Sequence, residues 1–279
     1  MNTIDFFDKT VILRTDYNVP VSNGIIKSTI RIDASLKTIQ YVLNKQAKKI
    51  IIISHRGRPK NNTQDLSLLP IMKYLENTLN LHIYFSTLNN YLSINPDLIN
   101  EKIVLLENIR YYPEETQNIS STNLFREKLT SLGDVFINDA FGCSHRAHSS
   151  IIGINTKEKC CGFLVEKEKL YLQNIFNNSG NTTLILGGSK ISDKIQLINN
   201  LVPKVNNILI GGGMAFTFLK YFGTKIGNSL FDELGFKSVS NILKTAVTHK
   251  TIITLPTDFI CNNKIANGGI LYIKILVLV

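Results

Sequence analysis

Cysteine is scarce in this chain. Its 279 residues include four, Cys143, Cys160, Cys161 and Cys261. None forms C-x-x-C, which argues against a zinc or disulfide framework and leaves reduced thiols of a cytoplasmic protein as the expectation. No apolar stretch approaches the roughly 20 residues that a membrane helix needs. The start, MNTIDFFDKT, is acidic and lacks an apolar segment, so it does not read as a signal peptide. No run of five or more basic residues occurs, and no basic stripe is interleaved with aromatics. A nucleic-acid binder would need such a footprint. Repeats and low-complexity tracts are absent as well. Neither G-x-G-x-x-G nor G-x-x-x-x-G-K-[ST] is present.

Arginine is also scarce, with seven among 31 basic residues: Arg14, Arg31, Arg56, Arg58, Arg110, Arg126 and Arg146. A chain that defaults to lysine places arginine where a planar, bidentate fork matters. The formal net charge of +10 suggests an anionic partner without naming it. Apolar residues make up 44%, enough for a substantial core.

What is abundant is short apolar runs. Thr10–Leu13, Lys49–Ile53, Lys102–Leu106, Asp134–Ile137, Thr182–Leu186, Asn207–Ile210 and Thr251–Leu255 read as buried parallel strands. Helix-length stretches lie between them, among them Asp33–Asn44, Leu69–Leu79 and Asn123–Leu132. The succession predicts an α/β fold, with parallel sheets covered by helices. A composition shift near Cys161 marks a domain boundary. Gly162–Phe176 reads as a connecting helix longer than its neighbours, and Asn177–Asn181 as a turn. The expected domains are therefore 1–162 and 163–279, the second beginning with the connector.

In open α/β sheets, ligands bind beyond the carboxyl ends of the strands. Arg14, Asp16 and Asn18 follow the first strand, and their alternate spacing predicts one shared face. His55, Gly57 and Arg58 follow the second, and Asn108 and Arg110 the third. The fourth leads into NDAFGCSHRAHSS, with His145, Arg146 and His148. Arg31 stands at the entry to the first helix. Five of the seven arginines thus sit at strand exits or at that entry. They predict a compact ligand carrying phosphate and carboxylate. Asp16 would accept from a ligand hydroxyl, with Asn18 beside it. A metal site at His145 and His148 would be opposed by the intervening Arg146. A Cys143–His145 nucleophile pair and purely structural histidines are the other readings of that loop.

The second half carries two strand–glycine–helix turns, LILGGSKISDKI and LIGGGMAFTFLK. Glycines there let phosphate oxygens approach backbone N–H groups at a helix start. Ser189 or Ser192 is the expected cap of the first helix. Lys190 and Lys194, four apart, are expected on one helix face. Gly211, Gly212 and Gly213 form the second turn. A nucleotide is the natural ligand, with the lysines neutralising its phosphates.

From Thr10 to Asp258 the chain resembles the phosphoglycerate kinase family. The strings that carry this are RTDYNVP, SHRGRP, LLENIRYYPEE, NDAFGCSHRAHSS, GFLVEKEKL, LILGGSKISDKI, IGGGMAFTFLK with IGNSL, and LPTD. The resemblance implies two doubly wound α/β domains joined by a helix. It implies phosphoryl transfer between 1,3-bisphosphoglycerate and Mg-ADP, giving 3-phosphoglycerate and ATP, with hinge closure of a cytoplasmic monomer. By motif match, Arg14, Asp16, Asn18, Arg31, His55, Arg58, Arg110 and Arg146 would hold the glycerate. Gly188, Lys190, Lys194 and Gly213 would hold the nucleotide. Arg31, Lys190 and Lys194 would stabilise the migrating phosphoryl group. Two departures lie in the glycerate half, Arg56 in place of leucine and Asp33 just after Arg31. The larger one follows Asp258, where FICNNKIANGGILYIKILVLV matches nothing in the family. The expectation is a truncated or frameshifted chain with an incomplete second domain, lacking the family's magnesium-binding aspartate. The alternative is a catalytically dead remnant that binds only 3-phosphoglycerate or a similar phosphorylated acid. The tail Ile270–Val279 is β-prone and would aggregate if unpaired.

Overall fold

The computed structural model describes residues 1, 3–59, 66–177, 180–262 and 271–275. The chain forms two compact units, Met1–Tyr171 and Leu172–Val279.

The first unit begins with β1 (Thr10–Thr15), a hairpin of β2 (Val21–Ser22) and β3 (Ile25–Ile26), and α1 (Ile30–Asn44). It continues through β4 (Lys49–Ile53), α2 (Leu69–Leu79), β5 (Ile83–Ser86) and α3 (Leu88–Ser93). Then come β6 (Ile103–Leu106), α4 (Thr122–Thr130), β7 (Val135–Asp139), α5 (Ser149–Ile152), β8 (Glu158–Cys161) and α6 (Phe163–Asn177). Six strands make a parallel sheet in the order β5-β6-β4-β1-β7-β8. The division between the units falls inside α6.

Both faces of the central strands are buried. Val11, Leu13, Ile50 and Ile52 face one core, together with Ile32, Ile39 and Val42 of α1 and Ile71 and Leu75 of α2. Ile12, Ile51 and Ile53 face the other, with Tyr91 of α3 and Phe125 and Leu129 of α4. Fully burying one such side chain contributes about 1.5–3 kcal/mol. In α1 the buried positions recur at helical spacing, and Ser35 and Thr38 share that face. Their hydroxyls are satisfied, Ser35 by Tyr17 Oη at 2.9 Å and Thr38 by Asp139 Oδ2 at 2.6 Å. Asp139 Oδ1 also accepts from Leu164 N at 2.8 Å, which anchors the start of α6.

Two strands of this sheet, β5 and β8, lie outside the expected apolar runs. Both are four residues long and lie at the sheet edges, where the sequences IYFS and EKCC lack a continuous apolar run.

The second unit contains β9 (Thr183–Gly187), α7 (Ile195–Leu201), β10 (Asn207–Gly211) and α8 (Gly213–Tyr221). It continues with α9 (Glu233–His249), β11 (Ile252–Thr254), β12 (Asp258–Asn262) and β13 (Leu271–Ile275). A three-stranded parallel sheet has the order β11-β10-β9. One of its faces packs Leu186, Ile208 and Ile210 against Met214, Phe218, Val239 and Ile242 of α8 and α9. On the other, Ile185 is 75% exposed and Ile252 62%. The expectation of buried strands covered on both faces is thus corrected here, because the helices among the described residues cover only one side.

The tail pairs. β13 runs antiparallel to β12, with Cys261 opposite Tyr272. Residues 270 and 276–279 of the apolar tail lie outside the described residues. No helix among the described residues is long and apolar enough to cross a membrane.

Candidate anion-binding site

Four loops of the first unit meet at the carboxyl ends of β1, β4, β6 and β7. They enclose a cavity of about 360 Å³, walled by Arg31, Arg58, Arg110 and Arg146 with Asp16, Asn18 and His55. A second cavity of about 240 Å³ shares Arg58, Arg110 and Arg146 and adds His148. Four guanidinium groups face one carboxylate, so the site favours a compact, multiply charged anion.

Each wall residue has a local cause. Arg31 lies in the first turn of α1, where the helix dipole disfavours a cation. Asp16 offsets this, accepting from Arg31 Nη1 at 2.8 Å. Asp16 Oδ1 also accepts from Asn18 N at 3.1 Å, fixing the turn after β1. Gly57 has φ +62° and donates its N–H to Asn18 Oδ1 at 2.8 Å. Its carbonyl accepts from Arg110 Nη1 at 2.7 Å. A Cβ at Gly57 would lie 2.7 Å from Leu66 Cδ2, so only glycine fits this left-handed turn. The Nε of Arg110 is buried without a partner among the described residues. Arg146 Nε donates to His145 Nε2 at 3.3 Å, while His145 itself is exposed.

The two buried histidines are held neutral. Burial, then the Arg14 charge, pushes His55 down to about 2. Burial, then Arg110, pushes His148 down to about 4. Burial raises the Cys143 thiol, so Cys143 is not an activated nucleophile. The histidine recorded beside that thiol is His55, whose Nδ1 lies 3.8 Å from Cys143 Sγ, rather than the His145 of the alternative nucleophile-pair reading. Asp16, His55 and Cys143 are close enough together to suggest a metal site. Asp16 is already paired with Arg31, and His55 with Arg14, so a cation would meet guanidinium charge there.

Arg14 is the main departure from the expected site. It was predicted to share a face with Asp16 and Asn18 on the wall. Instead it is fully buried behind the cavity. The strand ends at Thr15, so the alternation that would have aligned the three residues is lost in the turn. Arg14 Nε donates to Ser150 Oγ at 2.7 Å, and Arg14 Nη1 to the Thr15 carbonyl. Its charge faces Glu115, 3.6 Å away. Neither Glu115 nor Ser150 was singled out as a site residue, although both lie inside the motifs IRYYPEE and SHRAHSS. The departures at the other positions are absorbed locally. Asp33 accepts from Thr29 Oγ1 and from Tyr74 Oη, both at 2.7 Å, and Arg56 is buried. Asn108 is structural, since its amide donates to the carbonyls of Arg56 and Leu66.

In the second unit the two glycine turns abut. Met214 N donates to the Gly188 carbonyl at 2.9 Å. Gly212 has φ +66°, and a Cβ there would lie 3.1 Å from the Gly188 backbone. Gly213 opens α8. The side chain of Lys194 lies over Gly188, with Cε 3.2 Å from where a Cβ would sit. Two expectations fail in this region. Lys190 and Lys194 do not share a helix face, because Lys190 is exposed and outside any helix, and α7 begins only at Ile195. Neither Ser189 nor Ser192 caps α7, whose N-cap is Lys194 without a side-chain bond. Ser192 N donates to Asp232 Oδ2 at 2.8 Å, and Asp232 caps α9 instead.

Known proteins decide the family. A family model described as phosphoglycerate kinase matches residues 1–272. The chain belongs to the phosphoglycerate kinase family. Phosphoglycerate kinase of Schistosoma mansoni is 41% identical over 291 residues, covering 96% of this chain and 69% of that protein. The same-named protein of Plasmodium falciparum is 44% identical over 275 residues, covering 91% of this chain and 66% of that one. The solved phosphoglycerate kinase of Coxiella burnetii superposes with a TM-score of 0.80 at 31% identity, covering 99% of this chain and 70% of the other. The chain is therefore a phosphotransferase by family. It spans about two thirds of these relatives, so its second domain is incomplete beside theirs.

Proposed function

We propose that this chain moves a phosphoryl group between 1,3-bisphosphoglycerate and ADP, giving 3-phosphoglycerate and ATP in glycolysis. The observation that supports it is the meeting of Arg31, from the first turn of α1, with Arg58, Arg110 and Arg146, from three loops, around one cavity. Arg58, Arg110 and Arg146 take the substrate phosphate, with His55 beside them. Arg31 faces the reacting end, and Asp16 and Asn18 accept from the substrate hydroxyl. Arg14 holds this set from behind. Residues 1–162 form the glycerate-binding domain.

Residues 163–279 form the partial nucleotide-binding domain. There Gly188 and Gly213 admit phosphate oxygens to the backbone, and Lys190 and Lys194 neutralise their charge. Arg31, Lys190 and Lys194 stabilise the group in flight, since such transfer rests on positioning and charge rather than covalent catalysis. Membership of the family implies an adenine nucleotide carried with Mg²⁺. Mg²⁺ enters with the nucleotide as part of the substrate. The enzyme works as a cytoplasmic monomer, with no nucleic acid or membrane as partner.

A coupled assay for ATP formation from 1,3-bisphosphoglycerate and Mg-ADP tests the reading. Activity that falls at least a hundredfold in Arg31→Ala supports it. A chain that binds 3-phosphoglycerate by calorimetry but forms no ATP is the binding-only remnant, which the family comparisons do not favour.

A further inference from the structure

Behind the cavity wall lies a buried chain of hydrogen bonds that ends on His55. Glu115, in the turn after β6, is 1% exposed, and Arg14 and Ser150 are fully buried. Glu115 Oε2 accepts from Ser150 N at 2.8 Å, and Oε1 accepts from Ser150 Oγ at 2.7 Å. Ser150 Oγ in turn accepts from Arg14 Nε at 2.7 Å. The last link joins Arg14 Nη2 to His55 Nδ1 at 3.3 Å.

The direction of that last link is fixed by chemistry. A guanidinium has five N–H donors and no acceptor, so His55 Nδ1 must accept. A neutral imidazole that accepts at Nδ1 carries its proton on Nε2. His55 lines the cavity, and its Nε2 lies 3.9 Å from Asp16 Oδ1, too far for a firm hydrogen bond, and 3.9 Å from Cys143 Sγ, only a weak acceptor at that distance. The N–H is thus left for the ligand. We propose that Glu115 is a positioning residue which, through Ser150 and Arg14, imposes the Nε2–H tautomer on His55 and so supplies the bound anion with a neutral donor.

The surroundings favour a neutral ring. Arg14 and Asp16 face His55 from β1 and the turn after it, and Arg110 from beyond β6. Cys143, Arg146 and His148 face it from the loop after β7. An imidazolium would add a further charge to this crowd of guanidiniums, whereas the neutral ring adds a directional donor at no such cost. Glu115 also offsets the buried Arg14 charge, which is expensive to leave unpaired. His148 Nδ1, buried and without a hydrogen bond, lies 3.7 Å from the same Glu115 Oε1. The inference rests on the glycerate reading for the identity of the anion, but not for the tautomer.

The test is nitrogen-15 NMR of the imidazoles in the full chain from about pH 5 to 8, paired with calorimetry using 3-phosphoglycerate. In the unmodified protein His55 should show a proton on Nε2 alone and no titration. In Glu115→Gln the two tautomers should mix, and 3-phosphoglycerate should bind about tenfold more weakly. ADP affinity should stay unchanged, which a general loss of structure would not allow. Ser150→Ala should move both readouts in the same direction, and it serves as the second variant if Glu115→Gln does not fold. A proton on Nδ1 in the unmodified protein overturns the inference, as does an unaltered His55 signature in both variants. The stated tautomer with no 3-phosphoglycerate binding would instead sink the functional reading and leave the tautomer standing.

Discussion

The two parallel sheets differ in how they are covered. In the first, Ile50, Ile51, Ile52 and Ile53 are all fully buried, alternating between two cores. In the second, Leu184 and Leu186 turn toward the helices, while Ile185 between them stands open. The difference teaches that an apolar run specifies a strand but not its cover. Parallel sheets occur almost only with both faces packed, and that cover comes from helices elsewhere in the chain. The first unit has helices on both sides of its sheet. Among its described residues the second has them on one.

The largest effect that could break this contrast is in the cores themselves. Ile51→Ala should cost about 3 kcal/mol, combining lost transfer energy with a cavity. Ile185→Ala should fall within about 0.5 kcal/mol, because its side chain is already in water. Amide hydrogen exchange of β4 and β9 reads each unit separately. A large loss of protection in β9 on Ile185→Ala would show that its face is covered in solution.

A second test separates the units by pH. His55 and His148 have folded values of about 2 and 4, below the 6.5 of a free imidazole. The unfolded chain therefore binds protons that the native first unit refuses. Stability from this source is complete above about pH 6.5 and falls as the pH drops toward 4, by on the order of 2 kcal/mol per histidine. The second unit contains neither residue. Protection in β4 should therefore fall over this window more than in β9, and His148→Gln should shrink the gap. An equal decline in both units would refute the assignment.

The smallest effect concerns the abutting turns. Gly212→Ala places a Cβ at φ +66° against Gly188 and should cost about 1–2 kcal/mol, confined to the second unit. Exchange in β10 and nucleotide affinity would both report it. Unchanged affinity would mean that the glycine serves packing alone.

Much of the cavity wall was legible because the rule that locates it is simple. A residue just past the end of an apolar run lies at the ligand edge of a parallel sheet. That placed His55, Arg58, Arg110 and Arg146. It failed for Arg14, which sits inside β1 one residue before the strand ends. It could not find Glu115, which meets Arg14 and Ser150 from far along the chain, through contacts that no local pattern records. Lys190 and Lys194 were misjudged because a four-residue spacing implies a shared face only inside a helix. The α-helix there, α7, starts after both, and Lys194 lies only in the short 3-10 turn before it, where Asp232 takes the Ser192 N–H.

By itself, the sequence determined the alternation of strands and helices and the placement of scarce arginines at the exits of the first sheet. Both depend on nearest-neighbour periodicity and on turn chemistry, which are local. Only the tertiary structure decided which arginine faces the cavity and which is buried behind it. It likewise decided which way the proton of His55 points and which sheet face lies open. Those outcomes depend on what a distant segment brings to the same point in space, where burial and charge pairing are settled together.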